Sequence, residues 1–288
     1  MSSTDDFSDA KAVSQAYAKA LETANATSST GVLAQYFSPD CLWRGMHPFH
    51  EQTGPQAIAE TFWIPFLSSF KRVQRREDIF FAGQNEIDGF NSVWTCSMGH
   101  FMGLFDAPFL GISATRKIAM IRYAEFNKIE NGQITESALF VDLLHLMAQA
   151  GVFPLGVEQT GAHLVQPGPR THDGIITTAQ APETSRITLA RINNMIHSID
   201  EANASADPLS PQDELAVDWQ DDMIWWGPTG IGATYTIDRY IEQHQGPFRR
   251  AMEARAFNGH LCRMAEGFYG GFFGWPNLTL TNKKNNSR

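Results

Sequence analysis

Gln133-Ile134-Thr135-Glu136-Ser137-Ala138-Leu139-Phe140-Val141-Asp142-Leu143-Leu144-His145-Leu146-Met147-Ala148-Gln149-Ala150-Gly151 is the stretch on which the fold turns. One carboxylate, Asp142, stands inside an apolar run. Leu139, Phe140 and Val141 precede it, and Leu143 and Leu144 follow. An ionised carboxylate in apolar surroundings is costly unless it is paired, and burial raises its pKa. A carboxyl held that way can take and return a proton near neutral pH. The position also suits a second role, because Asp is a favoured cap and a helix is expected to open near Leu143. The residues leave both readings open.

Up to and into this stretch the pattern predicts strands at residues 73–81, 90–101, 118–128 and 134–142. A turn at 85–89, a connection at 114–117 and Asn131-Gly132 separate them. Helices come first. Ser8 or Asp9 can cap one on which Val13, Tyr17, Ala20, Leu21 and Ala24 recur at helical spacing. Residues 32–37 read as a second helix, 40–45 as a strand and 47–54 as a loop. Pro55 opens a helix carrying Ile58, Phe62, Phe66 and Phe70, which Pro65 is expected to kink or split. Helices followed by an antiparallel run is an α+β order, in which the helices must cover one face of a curved sheet.

A strand ending in Asp and running into Leu-x-x-Leu-x-x-Gln-x-Gly, here Asp142, Leu143, Leu146, Gln149 and Gly151, resembles the last strand and tail of SnoaL-like polyketide cyclases. That family is of the ester cyclase type and belongs to the nuclear transport factor 2-like superfamily. The element order is similar to the helix-covered cone of that superfamily. The resemblance covers residues 10–155 and, in part, 186–281. It implies a cone-shaped sheet and Asp142 as the acid/base of an intramolecular aldol closure. The base makes an enolate, which attacks within the same small apolar carbonyl-containing substrate. Such chemistry needs one carboxylate in a dry pocket, one donor near the developing oxyanion and no cofactor.

Other residues can be set around that cavity. His145 could face it one helical turn on, or lie at the helix surface. His47 and His50 occupy the loop expected at the mouth, as binding groups or as solvated side chains. His100 shares strand parity with Trp94, Cys96 and Met98. If that face lines the cone, His100 is the best polar partner for a carbonyl; if it is the outer face, His100 has no such role. Trp43, Trp63 and Phe140 would wall an apolar pocket, or simply fill the core. His47, His50, His100, Asp142 and His145 are metal-ligand types, but their spacing matches no zinc pattern, and no metal is expected. No glycine-rich nucleotide loop or nucleophile elbow occurs.

The second half echoes the first. Asp222-Met223-Ile224-Trp225-Trp226-Gly227 repeats Asp40-Cys41-Leu42-Trp43-Arg44-Gly45, and 222 − 40 = 182. Pro247-Phe248 repeats Pro65-Phe66 at the same offset. Glu266-Gly267-Phe268 aligns with Asp88-Gly89-Phe90, and 266 − 88 = 178, a net deletion of four. Residues 187–199 carry helical spacing, like the first helix. These matches predict a tandem duplication, with a cone at 1–155, a linker at 156–185 and a second copy at 186–288. The linker is rich in Pro and Gly and long for a compact chain. No counterpart of residues 118–151 follows in the second copy, which is therefore expected to lack two strands and any equivalent of Asp142. Such a sheet needs outside cover, from the first copy as a pseudo-dimer within the chain or from another chain in a homo-oligomer.

Composition narrows the partners. The chain has 288 residues, 43% of them hydrophobic, which is ample for packed cores. Net charge is −9 and the densest basic patch is only residues 71–76, which argues against nucleic acid. Cys41, Cys96 and Cys262 are scattered and odd in number, so a reducing, cytoplasmic setting is expected. The polar, acidic start predicts no secretory leader, and no apolar run is long enough to span a membrane. Two rivals to the cyclase reading remain. A second acid paired with Asp142 would favour another cofactor-free cone enzyme, such as an isomerase, dehydratase or epoxide hydrolase. A cone filled by its own side chains would favour a non-catalytic binding or assembly module.

Overall fold

A computed structural model of the protein describes residues 6–156, 165–204 and 210–282. The first half opens with α1 (Ser8–Thr23) and α2 (Ser29–Tyr36), then β1 (Phe37–Gly45) and β2 (His50–Thr53). A third helical stretch follows as α3 (Gly54–Ile58), a π turn (Ala59–Trp63) and α4 (Ile64–Ser69). Then come β3 (Phe70–Gln84), β4 (Val93–Phe105), β5 (Ile118–Glu130), β6 (Gln133–Val141) and α5 (Leu143–Gln149). The six strands make one sheet in the order β2-β1-β6-β5-β4-β3. All neighbours are antiparallel except β1 and β6, which run parallel. This is the expected α+β cone, a curved sheet packed on helices.

Several local expectations change. The loop at 47–54 contains β2, which turns back on β1. Phe90 is no strand residue: it lies in the β3–β4 turn with φ 65°. Pro65 sits where its helix is divided, with the π turn separating α3 from α4. It has no N–H to donate, and the turn before it widens, with Ile64 N–H bonding Ala59 O five residues back.

Strand alternation gives the sheet two buried faces. Ile121 and Tyr123 of β5, Phe101 and Phe105 of β4, and Leu139 and Val141 of β6 face the helices. They pack there with Tyr17, Trp43, Phe62, Trp63 and Phe66. Phe81, Trp94, Cys96, Phe126 and Ala138 face the other way and join a second core.

That second core is completed by the second half: α6 (Pro182–Ala204), α7 (Pro211–Ala216), β7 (Ile224–Trp226), β8 (Ala233–Tyr235), α8 (Ile237–Tyr240), a π turn (Ile241–Gln245), α9 (Gly246–Ala251), β9 (Met252–Phe257), β10 (Cys262–Glu266), β11 (Tyr269–Phe273) and β12 (Leu278–Asn282). Cys262, Met264 and Phe273 of the β10–β11 hairpin lie on the outer face of the first sheet. The hairpin is held close by its glycines. A Cβ on Gly271 would meet Phe126 and Phe81 at 3.3 Å, and one on Gly270 would strike Ile192 of α6 at 2.3 Å. Lys11 of α1 and Glu266 of β10 form a buried ion pair at 2.5 Å, and Glu266 also accepts the Ala82 N–H. Between the halves, Ile175 bridges the edge strand at Phe80.

The offset of 182 is visible in the backbone. Leu42 pairs with Thr53 and Trp43 with Gln52; Ile224 pairs with Tyr235 and Trp225 with Thr234. The two π turns start at Ala59 and Ile241, and 241 − 59 = 182. The hairpin alignment is corrected. Gln84 pairs with Val93, and Glu266 with Tyr269. The offset is 182 before the turn and 269 − 93 = 176 after it, so the second hairpin is six residues shorter, not four. No helix among the described residues is long and apolar enough to cross a membrane.

Candidate functional site

Alternation that puts Ile121 and Tyr123 inside the cone also puts Glu125 there, a carboxylate only 1% exposed. A buried charge must be paired, and its partner comes from β3. Arg75, its side chain 6% exposed, donates through Nη1 to Glu125 Oε2 at 2.5 Å. The guanidinium lies over three rings, at 5.6 Å from Tyr17, 5.2 Å from Phe101 and 5.0 Å from Tyr123. Tyr17 OH donates to Glu125 Oε1 at 3.2 Å. Burial disfavours the charge on Arg75, but Glu125, Tyr123 and Tyr17 together outweigh it and hold the guanidinium charged. Burial also pushes the Tyr17 and Tyr123 phenols up, so both stay protonated at neutral pH.

From this pair a hydrogen-bond chain runs to the edge of the sheet. Tyr123 OH and Ser97 Oγ lie 2.8 Å apart, and Ser97 Oγ donates to Glu77 Oε1 at 2.5 Å. With the serine proton on Glu77, the phenol donates to the serine. Burial raises the Glu77 carboxyl pKa, partly opposed by the Ser97 hydrogen bond and by Arg75. Glu77 is half-buried and lines an open groove of about 460 Å³ with Glu22, Gln74, Arg75, Arg76 and Asp78. The groove adjoins a recess of about 10 Å³, lined by Ala18, Leu21, Glu22, Trp63, Leu67, Val73, Arg75 and Phe101. Beyond it, aromatic side chains fill the cone: Phe62 touches Trp43, Phe49, Trp63, Phe66 and Phe109 ring to ring.

Asp142 is elsewhere and does something else. It caps α5, accepting the His145 N–H at 3.0 Å. Its other oxygen pairs with Arg122 and accepts the Thr229 N–H at 2.8 Å. Arg122 in turn donates to Gly227 O at 2.8 Å and to Thr229 Oγ1 at 3.0 Å. Burial would raise the Asp142 pKa, but the Thr229 hydrogen bond and the Arg122 charge outweigh it, and the pKa lies below the usual carboxylate value. The expected raised carboxyl in an open cavity is therefore not found. A carboxylate buried with an arginine is ionised and held, and its neighbour is a cation, not a second acid.

The other candidates fall into three groups. His100, Trp94 and Met98 share a face, as parity requires, but it is the outer face, so the cone-lining reading of them is corrected. Trp94 packs on Phe273 and donates its indole N–H to Ser92. His100 Nε2 accepts the Gln166 N–H, and its Nδ1 lies 3.5 Å from Asp78. The His145 ring is 6.3 Å from His100. Phe140 also lies outside, against Phe273 and Trp275. Trp43 and Trp63 are buried in the aromatic core. His47 and His50 are exposed, with rings 5.5 Å apart. No group of three or more potential metal ligands converges among the described residues.

The cluster of Arg75, Glu125, Tyr17, Tyr123, Ser97 and Glu77 is absent from the sequence-derived candidates. One signal could have found it. Glu125 interrupts the apolar face of a strand on the same parity as Ile121 and Tyr123, which is the pattern that drew attention to Asp142.

No family model and no curated protein matches the chain. Solved structures do. A provisionally assigned SnoaL-like polyketide cyclase from Jannaschia is 18% identical, covering 54% of this chain and 97% of its own, with a TM-score of 0.38. TsrD from Streptomyces laurentii is 17% identical, over 51% and 98%, with a TM-score of 0.40. A nuclear-transport-factor-2-like protein from Burkholderia thailandensis is 16% identical, over 49% and 95%, with a TM-score of 0.35. Each likeness spans about half of this chain, and the cone itself is read from the strand order and the helix-covered face of the sheet.

Proposed function

We propose that the protein is a cofactor-independent acid–base protein of the cone type, acting on a small carbonyl-containing molecule, with Glu77 rather than Asp142 as the proton-transfer group. The observation that carries this reading is Glu77 itself: a half-buried carboxyl with a raised pKa, facing an open groove and hydrogen-bonded through Ser97 to Tyr123. A raised pKa makes the carboxylate a stronger base and keeps its acid form available to higher pH than an ordinary glutamate. The Glu77 carboxylate takes a proton from carbon beside the carbonyl, giving a neutral carboxyl and an enolate. In a substrate with a second carbonyl, the enolate carbon bonds to that carbonyl carbon, and the resulting alkoxide recovers the proton from Glu77. That is an intramolecular aldol closure, balanced without oxidant, reductant or cofactor. Isomerisation is the same first step with the proton returned elsewhere.

The test is deuterium uptake from solvent into 2-tetralone and a β-keto ester, followed by NMR. The protein should accelerate exchange over buffer, and Glu77→Gln should reduce the acceleration by roughly a hundredfold or more. Equal exchange by Glu77→Gln and the unaltered protein would remove Glu77 from the mechanism. A second reading, a non-catalytic binding or assembly module, is favoured by the small recess and the aromatic packing of the cone. It predicts no acceleration at all.

A further inference from the structure

Several buried donors lack a hydrogen-bond partner among the described residues, the Trp43 indole Nε1–H included, and two of those in the cone belong together: the Trp63 indole Nε1–H and the Arg75 Nη2. Buried donors of this kind lose the full cost of desolvation unless something accepts from them. Both residues line the same recess of about 10 Å³, and both lie against the same two rings. The Trp63 ring centroid is 6.5 Å from Tyr17 and 5.8 Å from Phe101, and the Arg75 guanidinium carbon is 5.6 and 5.2 Å from them. A volume of this size holds about one oxygen atom. The recess also shares Glu22 and Arg75 with the groove that Glu77 lines.

We propose that this recess receives the oxygen of a small, planar, enolisable carbonyl compound, with Trp63 Nε1–H and Arg75 Nη2–H as its two donors. The inference rests on the acid–base reading and names where the charge that reading creates would go. Arg75 Nη1 is committed to Glu125, which fixes the cation in place beside the recess. The body of the ligand stays in the groove beside Glu77. An oxygen that becomes an enolate is better held than the ketone, because hydrogen bonds to a charged acceptor are the stronger ones. Three carboxylates lie near: Glu125 on Arg75 Nη1, Glu22 on the Arg75 N–H, and Glu77.

The probe is cyclohexane-1,3-dione, a small planar enolate at neutral pH, titrated into the full-length protein labelled with nitrogen-15 at tryptophan. The Trp63 indole proton, identified by its loss in Trp63→Phe, should move downfield and saturate. Trp63→Phe, which keeps the ring packing, should weaken binding by about tenfold or more. Arg75→Lys, checked for fold by circular dichroism, should weaken it as well. Glu77→Gln should bind the dione more tightly, since one like charge is removed, while losing proton exchange. An unmoved Trp63 resonance, or unchanged affinity in Trp63→Phe, overturns the donor pair, even if exchange remains Glu77-dependent. Binding that needs Trp63, in a protein that exchanges no protons, leaves the donor pair standing and defeats the acid–base reading alone.

Discussion

Asp142 is held by one cation, Arg122, and by the backbone N–H groups of His145 and Thr229, so removing its charge strands a buried guanidinium. Sequence gives an Asp at a strand end before an apolar helix, which fits a cap as well as a proton carrier, and the structure makes it a cap and an ion-pair partner. Nothing in sequence could supply Arg122 and Thr229, because one comes from the neighbouring strand and the other from the second half. Asp142→Asn should cost on the order of 3–5 kcal/mol in a denaturant titration, since it leaves a buried guanidinium without its carboxylate. Hydrogen exchange should quicken around residues 224–236, and any Glu77-dependent turnover of the folded fraction should survive. Acid tests the same pair with a definite sign. The folded pKa of Asp142 is depressed, so its stabilisation is complete above the ordinary value of 3.8 and is lost as pH falls below it. Glu77 has the opposite sign: its folded pKa is raised above 4.5, so ionising it costs stability as pH rises. A rate limited by Glu77 as base should climb with pH through a midpoint above 4.5, and Glu77→Gln should erase that limb. The Arg75–Glu125 pair was invisible for the same reason as Arg122, being 50 residues apart in the chain.

At the level of elements, periodicity found nearly every helix and strand of the first half but could not choose the inward face of β4. Both of its faces are buried, one by helices and one by the second half, so neither parity set is polar. The Trp-x-Gly pair at the end of β1 and β7 was more telling than its brevity suggested. A Cβ on Gly45 would fall 2.2 Å from the Trp43 ring, and a Cβ on Gly227 would fall 2.2 Å from the Trp225 ring. In both places the indole folds back over the strand end, and only glycine leaves room. Gly45→Ala should therefore destabilise the cone by roughly 1–3 kcal/mol, the usual cost of overpacking. Gly227→Ala should loosen the second half and leave the tryptophan environment of the first unchanged. Thermal unfolding with near-ultraviolet circular dichroism separates the two. The π turn before each proline is a further shared device that no hydrophobic pattern reveals, since it changes the backbone and not the residue types.

For the whole molecule, we propose that the two halves are copies of one unit that meet sheet to sheet as a pseudo-dimer within the chain. The offset of 182, the identical β1–β2 and β7–β8 registers and the paired π turns support it. The second half has no strand beside β11 other than β10 among the described residues, so its hairpin finds cover on α6 and on the outer face of the first sheet. That contact joins Phe81, Trp94, Phe126 and Phe140 to Met264 and Phe273, and it buries Lys11 with Glu266. Each large apolar side chain left bare would forgo about 1.5–3 kcal/mol of burial. Residues 185–288 alone would expose Met264, Phe273 and Tyr269 and leave the Glu266 carboxylate without its ammonium partner. They should show no cooperative unfolding transition and no slowly exchanging amides. Residues 1–156 alone keep their own helices over the cone and should fold. They should also associate through the bared outer face, in a concentration-dependent way that sedimentation velocity detects. Mixing the two fragments should restore protection in 262–273 and return the first to a single species. A monomeric, cooperatively folding 185–288 would show that the second half does not need the face it covers, and the pseudo-dimer would then be mere adjacency.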